Sequence, residues 1–212
     1  IIMKENFTTG RNLRIAITSY CNLDCKYCGG HKGYSNEKRG TMEDYRRDVI
    51  DGYQLSLDEL KILLCKFYEV GYRGVSLTGG EPLVNKNWYD IIKYCKEIGF
   101  ERREITTNGV LLKDYINTNG YPTDLTLVKV SFDTNDREEF YKITGRDYFD
   151  KVVDSIQCIA PVIETRANRV VLRSEINDLD DFIKYCKNIG FKATNLLDVV
   201  YYPNRRVESE RK

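Results

Sequence analysis

Apolar positions recur in two periods along the chain. Leu13-Arg14-Ile15-Ala16-Ile17-Thr18 alternates and is rich in β-branched residues, which predicts a strand. Leu57, Leu60, Leu63, Leu64, Phe67 and Val70 recur instead at helical spacing, opened by a Ser56/Glu59 capping box and ended by Gly71. The same reading predicts strands at 74–78 and 103–107, helices at 87–98, 110–116, 147–159 and 179–189, a strand core at 170–173 and a last strand at 191–200. Residues 125–132 form an almost continuous apolar run with one Lys, the pattern of a strand buried on both faces. Residues 29–55 are polar and contain Gly, with room for a short helix at 42–50; a loop of this length beside a site is usually functional.

Strand and helix alternate, which predicts βαβ units and a parallel sheet. Ile92-Lys93-Tyr94-Cys95-Lys96-Glu97-Ile98-Gly99-Phe100 nearly repeats as Ile183-Lys184-Tyr185-Cys186-Lys187-Asn188-Ile189-Gly190-Phe191, each a helix end with Gly at its cap feeding a strand. About six such modules cannot close an eight-stranded barrel. The expected fold is therefore α/β, a partial (β/α)6 barrel in one domain over residues 1–212, with its site at the carboxyl ends of the strands. The barrel occupies about 11–200, with the long loop at 29–55 and a tail at 201–212. The charged end, 205–212, reads as a tail or as the stump of a longer protein.

Composition narrows the partners. At 212 residues and 42% hydrophobic, the chain suits one domain with a sizeable core. Its 33 Lys and Arg against 32 Asp and Glu leave a net charge of +1, so no global field draws in nucleic acid. No apolar run reaches bilayer length and residues 1–10 lack the apolar core of a signal peptide; a soluble, cytoplasmic protein is expected. Seven cysteines, three within eight residues, suit a metal site in a reducing compartment better than a disulfide framework.

Those three are Cys21, Cys25 and Cys28, placed just after the first strand. Thiolates on one short loop can bind adjacent corners of a cubane cluster, and three protein ligands leave one iron open for substrate or cofactor. The residues alone also permit zinc, with His31 as fourth ligand, although a solvated loop histidine is the plainer role. Cys65, Cys95 and Cys186 lie inside amphipathic helices and Cys158 near the end of one, so all four are expected to be packed. Gly79-Gly80-Glu81-Pro82 follows the second strand, Thr107-Asn108-Gly109 the third and Ser131-Phe132-Asp133 the fourth. Alone, Thr-Asn-Gly is an ordinary turn and Asp133 a helix cap; their order and common place at strand ends favour a binding rim.

With these motifs the sequence resembles the radical S-adenosylmethionine (SAM) superfamily, whose C-x3-C-x-aromatic-C signature is met with Tyr27 in the aromatic place. The resemblance implies a [4Fe-4S] cluster on Cys21, Cys25 and Cys28 and SAM chelating the open iron. It implies reductive cleavage of SAM to methionine and a 5′-deoxyadenosyl radical, then hydrogen abstraction from an organic or nucleotide substrate. Burial in the barrel would shield this chemistry from water and oxygen. Gly79, Gly80 and Glu81 are expected to hold the methionine amino group, where glycines admit backbone carbonyls and a carboxylate complements an ammonium. Thr107, Asn108, Ser131 and Asp133 take the places of ribose and carboxylate contacts. Arg169 and Arg173, both expected on the fifth strand, are candidates for the SAM carboxylate or an anionic substrate, as is Arg146.

Within the superfamily the chain is similar to the GTP 3′,8-cyclase family of molybdenum-cofactor synthesis, from about residue 11 to residue 200. Thr78-Gly79-Gly80-Glu81-Pro82-Leu83, Thr106-Thr107-Asn108-Gly109-Val110-Leu111-Leu112, Val130-Ser131-Phe132-Asp133, Ile143-Thr144-Gly145-Arg146 and Ile176-Asn177-Asp178 carry the similarity. Those cyclases hold GTP with a second three-cysteine site near their C-terminus, and no cysteine here follows Cys186. Either the chain is a single-cluster relative with another substrate or it is incomplete. The expected partners are a small-molecule, nucleotide or peptide substrate and a flavodoxin- or ferredoxin-type electron donor. A peptide-modifying maturase and a non-enzymatic iron–sulfur electron carrier are the rival functions. No side chain is assigned to the hydrogen abstraction itself.

Overall fold

Six parallel strands in the order β1 to β6 form one sheet, each hydrogen-bonded to its neighbour in sequence. The computed structural model describes residues 11–25, 55–171 and 173–198. Strand β1 (Arg11–Ala16) is followed by α1 (Leu57–Glu69), β2 (Tyr72–Thr78), α2 (Trp88–Ile98), β3 (Arg102–Thr107) and α3 (Leu112–Asn119). Next come β4 (Leu127–Ser131), α4 (Arg137–Thr144), α5 (Phe149–Ile159), β5 (Thr165–Val171), α6 (Leu179–Ile189) and β6 (Ala193–Asp198). Among the described residues β6 does not pair with β1, so the sheet is an open, partial barrel.

The core lies between the strands and the helices that return from one strand to the next. Val75, Leu77, Ile105, Val128 and Val130 are fully buried against Leu64, Ile91, Ile92, Leu112, Val152 and Ile156. Phe132, just past β4, is the aromatic hub, in contact with Phe149, Phe182, Tyr185 and Phe191. Burying such a ring contributes about 1.5–3 kcal/mol. No helix among the described residues is long and apolar enough to cross a membrane.

The repeated helix ends are the same structure. Gly99 and Gly190 both take positive φ, 103° and 114°, and Phe100 and Phe191 donate back to the carbonyls of Cys95 and Cys186 at 2.8 and 3.0 Å. The following strand is thus aimed twice by one device. The Ser56/Glu59 capping box opens α1 as its pattern predicts.

Three elements depart from the hydrophobic pattern. Strand β5 covers Thr165–Val171 rather than a core at 170–173, because its inward positions are Thr165, Ala167 and Arg169, which break the apolar signal. Arg173 consequently lies beyond the strand, at the start of a 3-10 segment, Arg173–Asp178. Helix α4 occupies a stretch where no helix is predicted, because it is only eight residues long and buries only Phe140 and Thr144, too short a stripe for periodicity to show. Its Asp136 side chain accepts from the Glu139 N–H, so Asp136, and not Asp133, caps the helix after β4. The helix expected at 110–116 runs Leu112–Asn119, after a turn through Gly109. The long loop up to residue 54, with the short helix expected at 42–50, and the tail at 201–212 lie outside the described residues.

Candidate cofactor site at the strand ends

Parallel pairing without a skipped strand puts the carboxyl ends of β1 to β5 on one rim, and the motifs sit there. Thr18, Glu81, Thr107, Asn108, Asp133 and Arg169 are all buried polar residues of this rim. Cys21 and Cys25 lie on the loop beyond β1, partly buried against the core. Tyr27, Cys28 and His31 lie outside the described residues, so two of the three candidate cluster cysteines are placed here.

Backbone contacts tie the cysteine loop to the end of β2. Ile17 N–H donates to Thr78 O at 2.9 Å, Gly80 N–H to Thr18 O at 2.8 Å and Glu81 N–H to Tyr20 O at 2.6 Å. This approach is why the pair is Gly-Gly: a Cβ on Gly79 would stand 2.2 Å from Thr18 O, and one on Gly80 2.0 Å from Tyr20 O. The close approach is made by the protein's own chain. Asn85, 1% exposed, seals the joint by donating Nδ2 to Ile17 O at 2.9 Å.

Glu81 then ties β2 to β3. Its Oε1 accepts from the Thr107 hydroxyl at 2.7 Å and the Leu83 N–H at 3.1 Å, and its Oε2 from the Asn108 N–H at 2.7 Å. Burial pushes its carboxyl up to about 7, against the downward pull of the bonds from Asn108, Thr107 and Leu83. Thr107 Oγ1 also accepts from the Gly109 N–H at 3.0 Å, so its hydroxyl is spent inside the protein. Asp133 braces β4 to β5, Oδ1 accepting from the Val170 N–H at 2.8 Å. The Ser131 hydroxyl, half-buried, makes no side-chain hydrogen bond among the described residues.

Arg169 is buried, with its guanidinium 4.3 Å from the centre of the Phe182 ring, and is no surface charge. The Arg173 side chain lies outside the described residues. Arg146 follows the α4 cap, where Thr144 O accepts the Asp24 N–H at 2.9 Å; that segment braces the cysteine loop. Cys95 and Cys186 are buried, and burial pushes their thiols up to about 12 and about 11. Cys65 and Cys158, expected to be packed like them, are only partly buried, with Glu69 and the Tyr121 hydroxyl at 3.6 and 3.7 Å.

Sequence reasoning passed over Asn22. It lies inside the C-x3-C spacing, where the motif specifies no residue type. Its Oδ1 accepts from Asn108 Nδ2 at 2.7 Å, while its own Nδ2 is buried without a hydrogen-bond partner among the described residues. Two thiols, an orphaned buried amide donor and a carboxylate-braced rim suit an iron–sulfur cluster with a polar ligand beside it.

An open parallel barrel with thiols and buried polar groups at its strand ends is a cofactor-binding α/β fold. Residues 15–186 match the family described as the Radical SAM superfamily. The chain belongs to that superfamily, which works with a [4Fe-4S] cluster and SAM. It is 30% identical over 192 residues to a probable GTP 3′,8-cyclase of Saccharolobus solfataricus, covering 89% of this chain and 56% of the relative. It is 36% identical over 200 residues to one from Archaeoglobus fulgidus, covering 91% and 61%. The chain thus spans little more than half the length of these relatives. In fold it is similar to Streptococcus suis SuiB bound to precursor peptide SuiA, with a TM-score of 0.68 at 17% identity, covering 90% of this chain and 40% of that one.

Proposed function

We propose that this chain is the barrel of an enzyme that cleaves SAM reductively at a [4Fe-4S] cluster held by Cys21, Cys25 and Cys28 and abstracts hydrogen from a nucleotide or other small organic substrate. The observation that carries this reading is the convergence on one rim of the cysteine loop, the Glu81 joint and the orphaned Asn22 amide, in a chain of this superfamily. When bound, the cluster and SAM supply the electron and the cleavable carbon–sulfur bond. The Gly79 and Gly80 carbonyls with Glu81 would receive the methionine ammonium. Ser131 and Asn22 offer groups to hydroxyls or to the carboxylate, with Arg169 balancing negative charge. Tyr27 and Arg173 belong to the same proposed contacts. A flavodoxin- or ferredoxin-type protein would deliver the electron.

A nucleotide substrate is favoured by the names of relatives at 30% and 36% identity. A peptide substrate is the second reading, favoured by the fold shared with SuiB, a structure bound to a precursor peptide. Anaerobic reconstitution with iron and sulfide, reduction by dithionite with SAM, and chromatography for 5′-deoxyadenosine test the reaction. Wild type is expected to form it, and Cys25→Ala to lose both cluster and product. A cluster that cycles redox while SAM stays intact would make the chain an electron carrier and overturn the proposal. Deuterium transfer from labelled GTP or a labelled peptide then separates the substrate classes.

A further inference from the structure

Cys21 is held by more than its own turn. Its sulfur receives the Leu23 N–H at 3.4 Å and the side-chain amide of Asn108, from the end of β3, at 3.7 Å. Asn108 is 9% exposed and fixed independently of that sulfur. Its backbone N–H is held by Glu81 Oε2 at 2.7 Å and its Oδ1 accepts from the Val110 N–H at 3.0 Å. The bond to Val110 also sets which way the amide points, because a reversed amide would face two donors together. Its nitrogen therefore faces the cysteine loop, with one hydrogen for Asn22 Oδ1 at 2.7 Å and one for Cys21 Sγ. No amide hydrogen remains for a ribose hydroxyl.

We propose that Asn108 is a positioning residue that donates to the Cys21 thiolate and raises the reduction potential of the cluster this thiolate holds. The inference rests on the cluster assignment made above for the cysteine loop. A reduced cluster carries one more negative charge than an oxidised one, so a fixed N–H aimed at a ligand sulfur stabilises the reduced form more. Rigidity strengthens the effect, since the donor is already aligned in both redox states.

The test is a redox titration of the reconstituted full chain without SAM, followed by visible absorbance and by electron paramagnetic resonance, with iron and sulfide counted per chain. Asn108→Asp keeps the acceptor for Val110 and the side-chain size, removes both amide hydrogens and adds a negative charge. At the potential where wild type is half reduced, its reduced-to-oxidised ratio is expected to fall about tenfold, about 59 mV for a one-electron couple. Asn108→Ser removes the amide without adding charge and is expected to shift the potential in the same direction by less. Should the Asp variant fail to fold or to load, the Ser variant decides. An unchanged midpoint in a loaded variant overturns the inference, as does loss of the cluster from both variants, which would make Asn108 a holding residue only. A wild-type chain that takes up no [4Fe-4S] cluster fails the assignment beneath it instead.

Discussion

Replacing Glu81 by Gln tests how the joint between β2 and β3 is charged. The carboxyl titrates at about 7 in the fold against an ordinary 4.5, a difference of 2.5 pH steps. At about 1.4 kcal/mol per step this is about 3.5 kcal/mol. Because the folded value is raised, the sign is fixed. Wild type has the full contribution below pH 4.5 and loses it as pH rises to about 7, where ionisation must occur inside the protein. The Glu81→Gln side chain cannot ionise, so the variant escapes that loss. It costs instead a constant about 1–3 kcal/mol, because the new amide nitrogen faces the Asn108 N–H and leaves that buried donor unpaired. The amide oxygen still serves Thr107 and Leu83. Wild type is therefore expected to be the more stable at pH 5, with the gap closing or reversing by pH 8. Between pH 5 and pH 8 about 2.5 kcal/mol of the carboxyl's contribution is lost, so at about 2–4 °C per kcal/mol for a domain of this size the difference in Tm between the two proteins should change by about 5–10 °C. Urea and thermal unfolding of the cluster-free, reduced proteins at pH 5, 6, 7 and 8 measure it. A gap that stays constant over the range would refute a buried, titrating Glu81.

Two further outcomes follow from geometry already described. Gly80→Ala sets a Cβ against a backbone oxygen that no side-chain movement can clear, so a loss of about 1–3 kcal/mol is expected in urea unfolding, together with weaker cluster uptake. Iodoacetamide treatment of the native, reduced protein at pH 8, read by mass spectrometry of its peptides, should label Cys65 and Cys158 well before Cys95 and Cys186; equal labelling of all four would contradict the burial of the latter pair.

What could be foreseen from the residues divides along a physical line. Elements whose only task is to bury an apolar face announced themselves: α1 by its Leu spacing, α2 and α6 by one repeated segment, β4 by a run of apolar residues. The order of the motifs at strand ends was legible for the same reason, since each follows a readable strand. Elements that face the site were blurred. Strand β5 turns Arg169 inward, which a hydrophobic pattern counts as a break, and α4 buries little beyond Phe140. Partnership at the rim was hidden altogether. Nothing in the string tells that Glu81 meets Thr107 and Asn108, or that Asn22 meets Asn108, because those contacts exist only once β2 and β3 lie side by side. The Gly79-Gly80 pair reads in the sequence as admitting backbone carbonyls to a ligand; the structure adds a need the string does not show, room for the chain at Thr18 and Tyr20.

The α4 cap gives the cysteine loop a timetable. Cys21 and Cys25 leave the ribosome early, yet the loop is anchored by Glu81 through Tyr20, by Asn108 through Asn22, and by Thr144 through Asp24. The chain must supply three further strands, β2 to β4, and then α4 before all of these anchors exist. Metal delivered to the nascent chain would meet loose thiols, and metal delivered after α4 has docked would meet a shaped seat. A shaped seat at the cysteine loop therefore exists only once β2, β3, β4 and α4 are in place.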